Sequence, residues 1–466
     1  MLRRAVIAGA LVAALSSPAA VLAAAPVRGQ TLVPGVVYSR QLEFTPHGPV
    51  VLNVVSAPRP GGLYSVRAAL SNGFVQQRER LTDLEKDVSA SSTVVGIDGD
   101  FFDPAWGTPS SVLVRGGVLN AGAGADRSAA GFDASGTLHV DRVSLAGSWK
   151  GSGQYRPLAL NRPPTASGTT LYTPAWGPTT PGETRAVVEA VLAPFPAAIP
   201  NTTLTAPVVT LAQAGEQPIP PDGAVLVARG SQAATLAKEA PAGSTMNVRL
   251  ILTPSWPGVA EAVGGGPVLV RGGRAIFRAN EAFATSQLLT RTARGAVGQT
   301  ADGRILFVTV DGGHPGYSAG MSNFELALAM ARLGAVNACG LGTGAAAALA
   351  FDGKLLSRPY GTGETAIADA ILIGYEGVYV PVPSAAAVGR AVPLVYKVVR
   401  SSTVTVTLSA PDGSVATLET SSRGPGTYRI DWTPPAAGTW KLTVAAADDL
   451  GRHSSADRTL TVAGSD

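Results

Sequence analysis

Two aspartates lie two residues apart at the end of an apolar stretch, in the segment VVGIDGDFF at 94–102. Residues two apart on a strand face the same side, so this spacing brings Asp98 and Asp100 together. Two close carboxylates can hold different pKa values and then serve as one acid and one base. Their oxygens could also bind a hard cation, or both side chains could be solvated at a strand end. Asp98 and Asp100 are therefore candidate catalytic residues.

A third aspartate follows another apolar stretch. Residues 305–310 read ILFVTV, and Asp311-Gly312-Gly313 comes next. An aspartate at the carboxyl end of a strand, followed by glycine, is typical of sites in α/β sheets. Asp311 is therefore a candidate catalytic residue, with Gly312 and His314 beside it. His314 could donate a proton or simply be exposed in a loop.

Two arginines and a glycine run could bind an anion. Arg291 and Arg294 could each hold a phosphate or carboxylate through a bidentate pair, or form a surface ion pair. The segment AVGGGPVLV at 262–270 places Gly265 and Gly266 before a strand, where backbone N–H groups can approach an anion closely. Any tight turn uses glycines in the same way, so this signal is weak by itself.

The string GYSAG at 316–320 matches the G-x-S-x-G pattern of serine hydrolases. That pattern requires a strand that runs directly into the serine, whereas Pro315 and glycines intervene here. His453 is the only histidine that follows it. We therefore do not predict a serine hydrolase.

The composition excludes several classes of protein. Charged residues make up 15% of the chain and the formal charge is +4, without a cluster of Lys and Arg that would indicate a nucleic-acid partner. The single cysteine excludes an intrachain disulfide and a multi-cysteine metal site. Hydrophobic residues at 45%, with 55 glycines and 35 prolines, predict a compact, loop-rich and strand-rich protein. We expect no metal and no cofactor.

Residues 1–25 have the pattern of a secretory signal. Arg3 and Arg4 precede an apolar run, and small residues follow at 22–24, which is the order of a basic start, an apolar centre and a cleavage site. An uncleaved membrane anchor is the alternative. Either form predicts a protein that works outside the cytoplasm, secreted or extracytoplasmic.

The rest of the chain divides into segments of different character. Strand-like stretches occupy 26–60, and a strand-dominated domain extends over 61–378, with a Pro/Thr-rich insertion at about 140–235. Helices are predicted at 322–334, where Ser and Glu have the spacing of a capping box, and at 78–89. In the first of these, the spacing predicts a shared face of Phe324, Ala327, Leu328 and Ala331.

Three hairpins are predicted from their turns. The string VLVRGG occurs at 112–117 and at 268–273, each time as an apolar strand before a Gly-Gly turn. The repeat could reflect an internal duplication or chance. Residues 347–356 form the third hairpin, around an Asp-Gly turn.

Residues 384–466 differ from the preceding domain in their sequence pattern. Short alternating stretches recur at the spacing typical of a β-sandwich, and the segment resembles the immunoglobulin-like modules at the C-termini of bacterial secreted proteins. Such a module could be a spacer or could dock the protein to the cell envelope.

The ordered motifs of the central segment resemble those of phosphodiester glycosidases. The resemblance covers roughly residues 60–378 and is carried by IDGDFF, GGGP, R..GAVG..ADG, VTVDGG..GYSAG and GAVNA…ADAILI. It implies hydrolysis of a sugar from a phosphodiester-linked glycan, and a mixed fold with a large β content. The predicted fold class is thus α+β, a strand-rich mixed-sheet domain of this kind followed by an immunoglobulin-like β-sandwich.

The resemblance also assigns positions. The family's Asn-Gly-x-Phe-Phe falls on 98–102, with Asp98 in place of the Asn. The family's Arg-Thr falls on Arg294-Gly295, with Arg291-Thr292 as the competing register. Its strand-end Asp-Gly falls on Asp311-Gly312, and its helix start includes Glu325.

One family string is altered. Asn-Leu-Asp-Gly-Gly-Gly-Ser falls on residues 340–346, where its Asp has become Gly342 and its Ser has become Ala346. Losing a general acid or base typically costs a factor of about 10²–10⁴ in rate. Asp98 and Asp100 could substitute for the lost carboxylate. Under this interpretation, Gly342→Asp tests whether the scaffold is otherwise competent.

Two hypotheses follow. The first is an exported hydrolase acting on phosphate-linked or anionic glycans. In it Arg294 binds the anion, and Asp311 with Asp98 or Asp100 handles proton transfer and oxocarbenium stabilisation. The second is a catalytically inactive cell-envelope protein that binds glycans on the same fold. In either case the predicted substrate-binding residues are Arg294, Gly265, Gly266, Gly312, His314 and Gly344.

Overall fold

The computed structural model describes residues 29–122, 126–182, 186–276, 280–383 and 385–464. The predicted secretory signal at 1–25 lies outside these ranges. Strands dominate the regular structure, as the composition predicts. None of the helices in the described ranges has the length and apolar character needed to cross a bilayer.

The first third of the described chain forms strands, one helix and a 3₁₀ turn (Ser71–Gly73). The elements are β1 (Gln30–Val33), β2 (Val36–Thr45), β3 (Gly48–Ala57), β4 (Tyr64–Leu70), α1 (Leu81–Val88), β5 (Thr93–Asp98), β6 (Leu113–Arg115), β7 (Val118–Ala121), β8 (Ser128–Asp133) and β9 (Leu138–Arg142). The helix α1 confirms the prediction at 78–89, and it buries Leu81 and Leu84.

The middle of the chain folds into a closed barrel with its own core. Its elements are β10 (Ser144–Lys150), β11 (Arg156–Leu160), β12 (Gly168–Tyr172), β13 (Val187–Leu192), β14 (Thr203–Ala212), β15 (Ala224–Arg229), α2 (Ser231–Glu239) and β16 (Thr245–Thr253). The strand order is β10-β11-β12-β15-β13-β14-β16, and β10 pairs with β16 to close the ring. Trp149, Leu226 and Val248 are among its fully buried residues.

The next part of the chain returns to the sheets begun at the N-terminus. Its elements are β17 (Val259–Gly264), β18 (Val268–Arg271), β19 (Arg274–Ala275), α3 (Thr285–Leu289), β20 (Arg294–Thr300), β21 (Ile305–Val310), α4 (Asn323–Arg332), β22 (Ala335–Thr343), a 3₁₀ turn (Gly344–Ala346), β23 (Leu349–Phe351), β24 (Lys354–Leu355) and β25 (Asp369–Tyr375). A separate sheet has the order β7-β6-β17-β8-β9.

An eight-stranded sheet is the main layer, in the order β1-β2-β3-β21-β20-β22-β18-β19. One face packs against α4 and buries Val54, Ala296 and Val308. The other face buries Val55 and Phe307 in a core shared with the five-stranded sheet β24-β23-β5-β25-β4. Because both faces of β21 are covered, this strand is apolar at nearly every position.

The structure confirms the helix and the three hairpins that local sequence signals predict. Ser322 caps α4, and Glu325 completes the capping box. The two VLVRGG strings form β-hairpins whose paired glycines have positive φ angles, 55° and 78° in the first and 56° and 75° in the second. Asp352-Gly353 forms the third turn, also with positive φ.

The residues predicted to share a face of α4 are not buried together, since only Ala327 of the four is fully buried. Leu328 is 46% exposed, whereas Leu326 and Met330 are fully buried. The helix has apolar residues on more than one side, so periodicity alone did not determine which side meets the sheet. Arg294 donates a hydrogen bond to Asn323 at the first turn of α4, a tertiary contact that periodicity does not encode.

The C-terminal segment forms two sheets around a separate core. Its strands are β26 (Ala386–Ala387), β27 (Val392–Val398), β28 (Ser402–Ser409), β29 (Val415–Arg423), β30 (Gly426–Trp432), β31 (Gly438–Asp448) and β32 (His453–Ala463). They pair as β26-β32-β31-β28-β29 and β27-β30. The immunoglobulin-like assignment of this module stays a prediction.

Candidate active site

Asp311 lies directly after β21 and is only 2% exposed. Its Oδ1 accepts hydrogen bonds from Nδ2 of Asn53 at 2.8 Å and from the backbone N–H of Arg358 at 3.0 Å. Its Oδ2 accepts a bond from the hydroxyl of Tyr317 at 2.7 Å. Three donors from three distant parts of the chain therefore fix the carboxylate in one orientation.

Burial raises the pKa of Asp311 above its ordinary value, and the three hydrogen bonds offset only part of that rise. Removal from water penalises the charged form of a carboxyl group, whereas donors that point at its oxygens favour that form. Asp311 thus has the fixed geometry and the perturbed pKa that are common in catalytic carboxyl groups.

Two exposed arginines flank Tyr317 beside this carboxylate. Nη2 of Arg40 donates to the Tyr317 hydroxyl at 2.9 Å. The guanidinium carbons of Arg40 and Arg358 lie 5.3 Å and 4.7 Å from the centroid of the Tyr317 ring. Among the described residues, the Arg358 guanidinium has no hydrogen bond or ion pair. The two cations are therefore placed to bind an anion.

His314 lies beside Tyr317 and is half-buried. Its Nε2 donates to the carbonyl of Pro359 at 2.8 Å, and its ring meets the Tyr317 ring edge-on at 5.9 Å. The predicted position near Asp311 is thus observed. Because the Nε2 proton is already bound to a carbonyl, His314 contributes to holding the 359 loop against this site.

Asp98 is buried between the two sheets at the end of β5. Its Oδ1 accepts from the backbone N–H of Ala348 at 3.0 Å, whereas its Oδ2 has no hydrogen-bond partner among the described residues. Burial holds the pKa of Asp98 well above the ordinary value. Its carboxylate rests against Gly295 and Gly342, since a Cβ on either glycine would meet an Asp98 oxygen within 2.7 Å.

Asp98 and Asp311 share one face of the eight-stranded sheet. Gly295, under Asp98, pairs with Thr309, which pairs with Asn53, the amide that bonds Asp311. Paired residues face the same side, and neighbouring strands lie about 4.8 Å apart. Gly295, which Asp98 contacts, is therefore roughly 10 Å from Asn53 across two strand spacings. The Thr309 hydroxyl between them is buried and has no partner among the described residues. The sheet therefore aligns both predicted carboxylates along one row.

Asp100 is turned toward a different neighbour. Its Oδ2 accepts from the backbone N–H of Ser111 at 2.6 Å, and a Cβ on Gly264 would lie 2.3 Å from this oxygen. Asp369, at the start of β25, accepts from the Asp100 backbone N–H at 2.7 Å. Burial raises the pKa of both carboxyl groups. Within the described ranges, no three His, Cys, Asp or Glu side chains are placed to hold a metal ion.

The buried carboxyl groups should make the protein less stable as pH rises. Burial raises the pKa of Asp369 to about 7, whereas an aspartate in the unfolded chain titrates near 3.9, so only the folded state holds this proton between those values. The stabilising contribution is complete below about pH 4 and is lost as pH rises toward 7. Urea denaturation at several pH values should show a shallower pH dependence in Asp369→Asn. The exposed Asp431→Asn should retain the wild-type slope, and an equal slope in Asp369→Asn would contradict this account.

Arg294 is not available to a ligand. It is 1% exposed, and its guanidinium donates to the carbonyls of Met321, Gln287 and Thr290 and to Oδ1 of Asn323. It follows that the side chain points to the α4 face, opposite to the face that Gly295 presents to Asp98. The prediction that Arg294 binds an anion is therefore corrected. Its side chain instead connects the loop before β20 to the start of α4. The competing candidate, Arg291, forms an ion pair with Glu325.

Arg294→Met is expected to lower the free energy of unfolding by about 3–5 kcal/mol, because four buried acceptors lose a charged donor together. Burial lowers the pKa of Arg294 only to about 10, so the group is charged at neutral pH. Chemical denaturation measures the change, and Arg274→Met, at an exposed position, is the matched control. Normal stability together with weaker substrate binding would restore the ligand role.

The predicted glycine ligands serve close backbone packing. The N–H of Gly266 donates to the carbonyl of Gly340 at 2.8 Å, and that of Gly344 donates to Ala293 at 2.9 Å, so neither N–H is free for an anion. A Cβ on Gly265 would lie 2.4 Å from the Gly340 carbonyl oxygen, and one on Gly312 would lie 2.3 Å from the Ala293 nitrogen. Gly265 and Gly312 therefore let neighbouring backbone segments approach closely.

Ser318 is a structural residue within the GYSAG string. Its buried hydroxyl donates to the carbonyl of Asp311 and accepts from the N–H of Val51 at 3.1 Å. It therefore stabilises the loop that carries Tyr317, and it has neither the strand-to-helix turn nor the histidine that an activated serine requires.

Comparison with known families identifies the part of the chain that holds Asp311, Tyr317 and Arg358. Residues 200–374 match the sequence profile described as phosphodiester glycosidase. This part of the chain is thus similar to the phosphodiester glycosidase family. Asp98 and Arg40 lie before the matched residues and reach the site through the sheet.

Solved structures from three organisms are similar to this chain, and the first two have TM-scores above 0.5. A hypothetical protein from Synechocystis is 26% identical with a TM-score of 0.62, and the match covers 76% of this chain and 64% of that protein. A putative exported protein from Burkholderia pseudomallei is 23% identical with a TM-score of 0.56, covering 70% and 74%. The zebrafish N-acetylglucosamine-1-phosphodiester alpha-N-acetylglucosaminidase catalytic domain, auto-inhibited by its pro-peptide, is 14% identical with a TM-score of 0.41, covering 74% and 84%. The chain thus spans just under two thirds of the Synechocystis protein, and no curated protein sequence matches it.

The string at 340–346, which departs from the family pattern, contacts Asp98, the other position that departs from it. A Cβ on Gly342 would lie 2.3 Å from Oδ2 of Asp98 and 3.5 Å from the Cβ of Ala346. The resemblance places Asn at 98 and Asp at 342 in the family. Here the carboxylate is at 98 and position 342 has no side chain, so one carboxylate still lies at this contact. The space that an aspartate at 342 would need is already filled.

Several residues of the candidate site were missed in the sequence. Asn53 is a polar residue inside the apolar run VVLNVV, and that interruption was an available signal. Tyr38 donates to Asn53 at 3.0 Å and alternates with Arg40 at the period of a strand. Arg358 and Tyr317 gave no comparable signal, because only the folding of two loops places them beside Asp311.

Proposed function

We propose that this chain is a hydrolase that releases a sugar from a glycosyl phosphodiester, with Asp311 at its catalytic centre. The observation that carries the proposal is a buried carboxylate with a raised pKa, held by three donors and flanked by the exposed Arg40 and Arg358. The family match over residues 200–374 supports the reaction class.

The arginines suit the leaving group of this reaction. A phosphate monoester leaves as an anion, so developing negative charge has to be stabilised at the bond that breaks. Guanidinium groups bind phosphate oxygens through several parallel donors, and fixed charges aimed at developing charge are a large source of catalysis. Arg40 and Arg358 would supply this stabilisation on either side of Tyr317.

Asp311 would act as the base. A water molecule attacks the anomeric carbon, the bond from that carbon to the phosphate oxygen breaks, and the electron pair leaves with the phosphate. The carboxylate of Asp311 accepts the proton that the water gives up. Tyr317 and Asn53 hold the carboxylate in position during this transfer.

Asp98 is the second acidic group of the proposed site. Burial holds its pKa well above the ordinary value, which favours the protonated form. Because Oδ2 has no partner among the described residues, Asp98 supplies an unused hydrogen-bonding oxygen at the end of the row from Gly295 to Asn53.

The test is sugar release from methyl diesters of several hexose 1-phosphates, followed by reducing-sugar assay and phosphorus NMR. Wild-type turnover supports the proposal. Saturable binding without turnover would favour the alternative, a glycan-binding protein on the same fold, which the changes at Gly342 and Ala346 motivate. Neither binding nor turnover across the panel would reject both.

Arg358→Ala is expected to weaken binding of these diesters by about tenfold, since it removes one charged hydrogen-bonding group from a phosphate. Stability should be unchanged, because the guanidinium is exposed and makes no hydrogen bond among the described residues. Calorimetric titration with a methyl diester measures the effect. Arg390→Ala, at an exposed position of the C-terminal segment, is the matched control, and equal affinities in the two variants would contradict the assignment.

We also propose that the protein works outside the cytoplasm and that its C-terminal module docks to the cell envelope. The signal-like pattern at residues 1–25 supports export, as does the name of the similar Burkholderia protein. Detection of a chain shortened by about 25 residues in the extracytoplasmic fraction would test export.

A further inference from the structure

An exposed apolar surface begins at the arginine of the proposed site. Tyr38, Arg40, Leu42 and Phe44 alternate along β2 and so face the same side of the sheet. Their partners on β3 are Val55, Asn53, Val51 and Pro49. The strand therefore runs from the polar network around Asp311, past Arg40, to two large apolar side chains.

These apolar side chains are unusually open to solvent. Leu42 is 57% exposed and Phe44 is 81% exposed. They line an open groove of about 560 Å³ together with Arg40, Pro49, Val51, Gly316 and Tyr317. A groove of this size lies within the range of small-molecule sites, which are mostly apolar with a few polar groups at one end.

The groove and the proposed site share two residues. Arg40 and Tyr317 line the groove, and the same two side chains bond each other beside Asp311. At roughly 3.4 Å per residue, Leu42 lies about 7 Å and Phe44 about 14 Å along the strand from Arg40. A ligand that binds the arginines through a phosphate can thus extend directly over the apolar residues.

We propose that this groove binds an alkyl chain on the phosphate side of the substrate. The substrate class is then a sugar joined through a phosphodiester to an apolar alcohol of roughly ten carbons. Positive charge at one end and apolar surface along the rest match an anionic head with an apolar tail. This inference rests on the proposed function for the sugar, but binding of the phosphate and its chain can be measured separately.

The probes are decyl phosphate and methyl phosphate, titrated calorimetrically into the full chain. If the groove buries about half of the chain, decyl phosphate should bind roughly 400-fold more tightly than methyl phosphate, given about 0.8 kcal/mol per buried methylene. Leu42→Ser/Phe44→Ser should lose at least tenfold of that preference and leave methyl phosphate affinity unchanged. Both residues are exposed, so this variant should fold normally.

The matched control is Val209→Ser/Val415→Ser, which removes two exposed apolar side chains, 55% and 64% exposed, from other strands. It should retain the full chain-length preference. Equal affinities of the wild type for the two phosphates would overturn the inference, as would a preference that survives in Leu42→Ser/Phe44→Ser. Light scattering adds a third outcome: a wild-type dimer that the Leu42/Phe44 variant dissociates would show the groove to be an interface between copies.

Sugar release separates this inference from the proposed function. Hydrolysis of methyl and decyl diesters with equal efficiency would support the function and overturn the alkyl groove. Strong binding of decyl phosphate, lost in the Leu42/Phe44 variant, without hydrolysis of any diester would support the groove and reject the hydrolase.

Discussion

Asp311→Asn is expected to lower sugar release from a glycosyl phosphodiester by about 10²–10⁴-fold, the usual cost of losing a general base. The substitution keeps the shape of the side chain. Its Oδ1 can still accept from Asn53 and from the N–H of Arg358, and the Tyr317 hydroxyl can rotate to accept from the new amide. Substrate affinity should therefore change little, and the loss should appear in kcat.

The matched control is Asp302→Asn, in the turn that connects β20 to β21. Asp302 is exposed and receives a bond from the hydroxyl of Thr300, and nothing places it near the proposed site. It should keep wild-type activity. A wild-type rate in Asp311→Asn would remove Asp311 from the mechanism, whereas a parallel loss of folded protein would show that its hydrogen bonds are structural.

Gly342→Asp is expected to destabilise the protein and not to restore a family-like activity. The new Cβ would lie 2.3 Å from Oδ2 of Asp98, and the new carboxylate would be buried against an existing carboxyl group. Overpacking together with a second buried acid should cost about 3 kcal/mol or more. Urea denaturation of the variant measures this cost.

Gly363→Asp is the matched control for this change, because a Cβ at that exposed position meets no atom within 4 Å. The stability of the double variant Asp98→Ala/Gly342→Asp is the second measurement. If the clash is with Asp98, the double variant should be more stable than Gly342→Asp alone, which a double-mutant cycle reports as coupling between contacting residues. Wild-type stability in Gly342→Asp would show that the loop moves aside and that the space is not limiting.

The predictions from local patterns were confirmed where short-range chemistry determines the backbone. Ser322 and Glu325 cap the helix at 323–332, and the Gly-Gly and Asp-Gly pairs form their turns, because capping and positive φ depend on residues adjacent in sequence. The direction of a side chain was harder to predict. Arg294 and Gly295 are neighbours on one strand and face opposite sides, so a motif containing both did not indicate which of them meets the site.

The same limit explains the missed residues. Arg40, Tyr317 and Arg358 belong to a strand and two loops that are far apart in the chain. Tyr317 lies within the GYSAG string, but that string did not indicate that its tyrosine meets Asp311, and Arg40 and Arg358 lie in no motif with a recognisable spacing. Asn53 was the exception, since a lone amide within an apolar strand indicates a buried partner. Its partner, Asp311, was itself predicted from the end of the strand that pairs with β3.

The amino-acid sequence by itself determined the strand-rich character, the turns and caps, the phosphodiester glycosidase resemblance and the position of Asp311 at a strand end. These features depend on composition or on residues that are close in the chain. Only the tertiary structure decided that Asp98 and Asp311 share a sheet face. It also decided that Arg294 donates all its hydrogen bonds to four protein acceptors. Arg40 and Arg358 flank the carboxylate of Asp311 instead. Such relations depend on strand pairing across some 250 residues, as in the bond from Asn53 to Asp311, and no local pattern encodes that register.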